Sequence, residues 1–200
     1  MTDLPLHPLP LLGDPPTERS DAARNRESLL VAARELVHER GAEAVTMDDV
    51  ALRAGVGKGT VFRRFGSRHG LMVALLDDSE AEWQRQVMSG PPPLGPGAPA
   101  WERLEAFGRS RLQTTVGHAD LLRAAGASGN RSAPAMSFVV MHVRHLLIQL
   151  GVTGDLRLLS TALMAPLEIG VLDVLRTEGI DTERVIQGWL DLAQRIVAGG

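Results

Sequence analysis

The segment TMDDVALRAGVGKGTVFRRF, residues 46–65, constrains this chain more than any other, because its spacing suits two short helices joined at a glycine. Thr46 stands three residues before Asp49, so its hydroxyl can accept from the Asp49 backbone N–H while the carboxylate reaches back, a capping box with Asp in place of Glu. Met47, Val50, Ala51 and Ala54 follow at i, i+3, i+4 and i+7 and form one apolar face. Gly55 falls where the chain must leave the helix through a left-handed residue, and Val56 plugs the angle between the helices. In the second helix Val61 and Phe65 share the core side. That turns Gly59 and Arg63 outward and puts Thr60, Phe62 and Arg64 on the flanks.

A formal net charge of -3 argues against a polyanionic partner for the chain as a whole. Locally the balance reverses. No Asp or Glu lies between Asp49 and Asp77, whereas Arg53, Lys58, Arg63, Arg64 and Arg68 all do. A local basic face beside an outward helix is what phosphate contact requires. The pair therefore reads as a helix-turn-helix for double-stranded DNA, with a plain α-hairpin of a helical bundle as the alternative.

With the first helix RNRESLLVAARELVHERGAEAVTM, the turn AGVGKGTVFRRF and the following GSRHGL, residues 24–76 resemble the TetR family of bacterial transcriptional regulators. The resemblance implies three helices that form a DNA-binding domain and a long fourth that leads into a ligand-binding domain. It implies phosphate contacts at Lys58 and Phe62, a groove position for Thr60 and a base-facing one for Arg63. Together with Thr46, Gly57, Gly59, Arg64 and Arg68, these are the expected DNA-binding residues. Three positions depart from the family's habit. Gly57 replaces the usual Ser and loses a side-chain cap, Phe62 replaces Tyr and has no hydroxyl for a phosphate, and Arg64 stands where His or Tyr is common and adds a permanent charge.

The expected fold is all-α, with a flexible arm over 1–20, a DNA-binding domain over 21–76 and a helical ligand-binding and dimerisation domain over 77–200. The arm is rich in Pro and Leu and has no period. A first helix from near Asp21 to Arg40 carries the stripe Leu29, Leu30, Ala33, Leu36 and Val37, and Gly41 stops it. Ser67 caps a fourth helix to about Met88, with Leu71, Leu75 and Leu76 in the first core and Trp83 and Val87 farther along. Five prolines within residues 90–100 make that stretch a loop. Helices are expected at 101–116, 119–126, 134–150, 155–178 and 182–198. The last two are apolar on more than one side, so they either bury one another or face a second subunit. The resemblance makes them a dimer interface, with Leu163, Leu167, Val171, Leu175, Ile186, Trp189 and Ile196 as its expected contacts.

Chemistry is sparse. The chain has no cysteine, so disulfides, thiolate metal sites and thiol nucleophiles are excluded. His142 and His145, at i and i+3, lack a third ligand, and no metal or other cofactor is expected. Glu168 and Asp173 fall on different sides of their helix, and no GxSxG, HExxH or phosphate-cradling loop occurs, so catalysis is not expected. Trp101, Phe107, His118, Met136, Met141, His142, His145, Met164 and Glu168 are either core or the lining of an apolar effector pocket. The lack of an apolar run of about 20 residues argues against a membrane span, and the N-terminus lacks a secretory signal, so a cytoplasmic location is expected. The expected function is a homodimeric, ligand-responsive regulator, a repressor by the family's habit. It would bind a palindromic operator and be released by a small effector. An enzyme or carrier without specific DNA affinity is the rival.

Overall fold

The structure, a computed structural model, describes residues 17–125 and 133–199. Among them are ten α-helices and no strand. They are α1 (Thr17–Arg40), α2 (Met47–Arg53), α3 (Lys58–Phe65), α4 (Arg68–Ser89), α5 (Ala100–Gly117), α6 (Ala119–Ala124), α7 (Ala133–Gln149), α8 (Leu156–Met164), α9 (Ile169–Thr177) and α10 (Thr182–Ala198). The polar starts are built as the residue types dictate. Ser67 accepts from the Gly70 N–H at 3.1 Å, and Asp155 and Asp181 accept from the first turns of α8 and α10.

Two boundaries differ from the sequence reading. The first helix starts at Thr17 rather than Asp21, so residues 17–20 of the expected arm are helical, since the run of prolines ends at Pro16. The rest of the arm, residues 1–16, lies outside the described residues. The expected helix over 155–178 is two helices, α8 and α9, separated by a 3₁₀ turn at Ala165–Leu167. Pro166 lacks the N–H that a continuous helix would need there.

The helices close two cores. The first joins Leu29, Leu30, Ala33 and Leu36 of α1, Met47, Val50 and Ala51 of α2, Val61 of α3, and Leu71, Met72 and Leu75 of α4. The second is built on Trp83 and Val87 of α4 with Phe107 of α5, Val143 and Leu146 of α7, Leu163 of α8 and Trp189 of α10. Helix α4 therefore belongs to both. Leu121 of α6 and the following Ala125, which the sequence reading put in the second domain, pack in the first core.

Helices α5 and α10 approach closely in the second core. Trp189 is buried and its indole N–H donates to the Leu163 carbonyl at 2.6 Å. A Cβ placed on Gly108 would lie 2.2 Å from that indole ring, so only glycine lets the helices meet. Gly108→Ala should destabilise the fold by about 1–3 kcal/mol through overpacking. Urea unfolding would measure it, with Gly170→Ala as a control, because a Cβ at Gly170 meets nothing within 4 Å.

Candidate nucleic-acid interface and effector site

The turn between α2 and α3 is fixed by backbone and cap. Thr46 accepts from the Asp49 N–H at 3.2 Å, and Asp49 accepts from the Thr46 N–H at 3.1 Å and its hydroxyl at 2.7 Å. These hydrogen bonds hold the Asp49 carboxyl below the ordinary carboxylate range. At the other end Gly55 has φ of 66°, with its N–H donating to Leu52 and the Val56 N–H to Ala51, a Schellman closure. The consequence is directional. Val61 is fully buried, Phe65 packs partly against the core, and Lys58, Gly59, Phe62, Arg63 and Arg64 all face outward, with Thr60 half-buried beside them. Gly57 is the N-cap and supplies no side-chain hydrogen bond.

The basic stretch is less uniform than its sequence suggests. Arg53 turns back to α1, pairing with both oxygens of Glu39 at 2.7 and 2.8 Å and with Glu35 at 3.2 Å. Arg68, expected at the DNA, is instead a brace: its Nε–H donates to the Val45 carbonyl at 2.9 Å and its Nη2 to that of Ala42, and the side chain is half-buried. A guanidinium can cap these loop carbonyls because it carries several donors in one plane. Lys58 donates to Asp48 at 2.7 Å and lies 5.7 Å from the Phe62 ring centroid. Arg63 is exposed and has no ion pair among the described residues. The Thr46 hydroxyl is engaged in its cap, which leaves it a positioning role.

The expected effector residues do not form one group. Phe107 and His142 do come together, with ring centroids 5.1 Å apart and planes 25° apart, and Phe138 also stacks with the imidazole at 6.0 Å. Met164 is buried in the same core and Trp101 packs at its edge. Met141 and His145 are corrections: both are exposed, since the side of α7 that carries them faces away from Val143 and Leu146. His118 is also elsewhere. It shares a hydrogen bond with the Thr114 carbonyl at 2.9 Å and lines a crevice of about 690 Å³ with Arg34, Asp78 and Trp83, between the two cores. Glu168 is half-buried at the N-cap of α9, and the Met136 side chain lies outside the described residues.

The sequence reading missed the charged part of this region. Arg111 is buried, pairs with Glu80 of α4 at 2.8 Å and stacks over Trp83 at 4.6 Å. Trp83 in turn meets Phe107 at 5.2 Å and donates its indole N–H to Ser110 at 2.9 Å. The spacing of Arg103, Phe107 and Arg111 at i, i+4 and i+8 was the available signal. No group of three or more His, Cys, Asp or Glu with metal-binding geometry occurs among the described residues.

Four of the expected dimer contacts are also corrected. Leu163, Leu167, Ile186 and Trp189 are buried inside the subunit, so they have no surface to offer a partner. Val171 is exposed, and Leu175 and Ile196 are half-buried. Val174 joins Val171 on α9 as an exposed apolar residue, 56% accessible.

Burial lowers the His142 pKa from 6.5 to about 4, helped by the charge of Arg103 and then by His145. The folded protein therefore keeps the ring neutral where the unfolded chain would protonate it. This part of the stability is present in full above pH 6.5 and is lost as pH falls towards 4. Urea unfolding between pH 7.5 and pH 4 should show a steeper acid loss in the native protein than in His142→Phe. Equal slopes would contradict the assignment.

Comparison with known proteins agrees with this geometry. Residues 29–75 match the family model of the bacterial regulatory proteins, tetR family. The chain is 37% identical over 82 residues to an HTH-type transcriptional repressor of Mycobacterium tuberculosis, an alignment covering 39% of this chain and 44% of that protein. The chain thus spans less than half the length of the curated relatives it matches. Its fold is similar to that of a TetR-family transcriptional regulator from Pectobacterium atrosepticum, with a TM-score of 0.69 at 22% identity over 90% of this chain and 96% of the other. It is also similar to the regulator FadR from Bacillus subtilis in complex with stearoyl-CoA, with a TM-score of 0.56 at 17% identity over 88% of this chain and 99% of that one. Residues 29–75 are thus similar to the DNA-binding domain of the tetR family of bacterial regulatory proteins, and the fold that carries them is similar to that of TetR-family regulators.

Proposed function

We propose that the chain is a homodimeric, ligand-responsive transcriptional repressor that binds a palindromic duplex operator with one α3 per major groove. The observation that carries this reading is the outward face of α3. Lys58, Gly59, Phe62 and Arg63 are all exposed there, on a helix fixed from behind by Val61. A guanidinium held this way reads guanine through two hydrogen bonds, and a lysine at the helix start meets phosphate. Repression is favoured by the name of the Mycobacterium tuberculosis relative. A cytoplasmic location goes with such a role.

Dimerisation uses α9 and the facing side of α10, where Val171 and Val174 are exposed and Leu175 and Ile196 lie at the edge of the core. A two-fold pair fixes the half-site spacing and doubles the phosphate contacts. The effector is small and largely apolar and binds in the second core. That FadR is seen with stearoyl-CoA supports a ligand in this kind of fold. Because α4 belongs to both cores, a ligand that favours one arrangement of the second core biases the position of the first, and the coupling acts equally in both directions.

Arg63→Ala should cost about 1–3 kcal/mol per half-site and relax the preference at one base pair in each. Lys58→Ala should weaken all sequences alike and lower the salt slope by about one per half-site. Asp48→Asn should do the reverse, since Asp48 holds Lys58 at 2.7 Å in the free protein. Fluorescence anisotropy with operator and scrambled duplexes at several salt concentrations reads all three. An Arg63→Ala protein that keeps the full sequence preference would contradict the reading.

Val174→Glu should give a monomer in light scattering at micromolar concentration and lose operator binding, while a dimer that survives it would place the interface elsewhere.

A further inference from the structure

Among the described residues, three buried side-chain atoms on facing helices have no hydrogen-bond partner: Nε of Arg103, Nε of Arg111 and Nε2 of His142. Native folds rarely leave such groups unpaired, because burial removes their water and returns nothing. Arg111 is the least puzzling, since Glu80 neutralises its charge at 2.8 Å. Arg103, two turns earlier on the same face of α5, has no carboxylate partner among the described residues. Its charge nevertheless reaches His142, where it disfavours a second cation. Phe107 and Phe138 both stack with the imidazole, and only 6% of the residue is exposed, so its unpaired Nε2 lies within protein.

A water molecule would satisfy one of these donors but would bring no charge to the partly exposed Arg103. A dianion would exceed the single uncompensated cation. One carboxylate matches both needs, with two oxygens for two donors and one negative charge for one positive. The rings of Trp83, Phe107, Phe138 and His142 suit a flat apolar body beside it.

We propose that the effector is a small monocarboxylate with a flat apolar body, its carboxylate paired with Arg103 and accepting from Nε2–H of His142 between α5 and α7. This inference rests on the reading of the chain as a ligand-responsive regulator and names the chemistry of its ligand. The same rings give the signal a path, since Trp83 on α4 contacts both Phe107 and Phe138.

Calorimetric titration of the full chain with 2-naphthoate and with its neutral isostere 2-naphthamide tests the assignment. The carboxylate should bind at least tenfold more tightly than the amide. Arg103→Gln should bring the ratio near one, Arg103→Lys should keep part of it, and thermal unfolding should show all three proteins folded. A native protein that binds neither compound or fails to distinguish them, or an Arg103→Gln protein that keeps the preference, would overturn the proposal. Anisotropy with the ligand-free protein and operator duplex separates the two readings. Intact DNA binding with no carboxylate preference removes this ligand chemistry alone, whereas absent DNA binding removes the regulator reading beneath it.

Discussion

A single helix shared by two hydrophobic cores is the constraint on which the rest of this structure depends. Leu71, Met72 and Leu75 seat the first half of α4 against α1, α2 and α3, and Trp83 and Val87 seat its second half against α5 and α7. Between Leu71 and Val87 a helix rises about 24 Å, so a small tilt at one end is a displacement of ångströms at the other. Side chains in packed cores do not absorb such a tilt continuously. Either core can therefore report its state to the other, and the outward face of α3 moves with the first.

The second link is α6. Leu121 and the adjoining Ala125 pack with the reading helices, while Arg123 pairs with Asp173 of α9 at 2.6 Å and with Asp120 of its own helix at 3.0 Å. That ion pair holds the Asp173 carboxyl below its ordinary range. The helix proposed to meet a second subunit is thus tied to the reading head by one short element. Exposed ion pairs contribute little to stability, so the value of this one lies in direction more than in strength.

Much of the reading head was legible in the sequence because local rules decide it. The capping box at Thr46 and Asp49, the left-handed Gly55 and the buried Val61 each follow from spacing within a few residues. What escaped was set by partners distant in the chain. Arg53 and Arg68 sit in a basic run, yet one is consumed by Glu35 and Glu39 and the other by the carbonyls of Ala42 and Val45. Counting charges cannot reveal such assignments. The apolar surplus of residues 155–198 was legible, but its faces were not, because Pro166 splits the helix and sends Leu163 and Leu167 inward while Val171 and Val174 stay outside. Likewise α7 looked uniformly apolar around its histidines. Packing alone separates buried His142 from exposed His145.

The central claim is that two copies of α3 read one duplex. Selection of bound DNA from a random pool, followed by sequencing, tests it most directly. The account predicts an enriched two-fold symmetric sequence whose half-sites are centred about one helical turn of DNA apart, or a multiple of it. Enrichment with no sequence preference, or of a single unrepeated half-site, would contradict it.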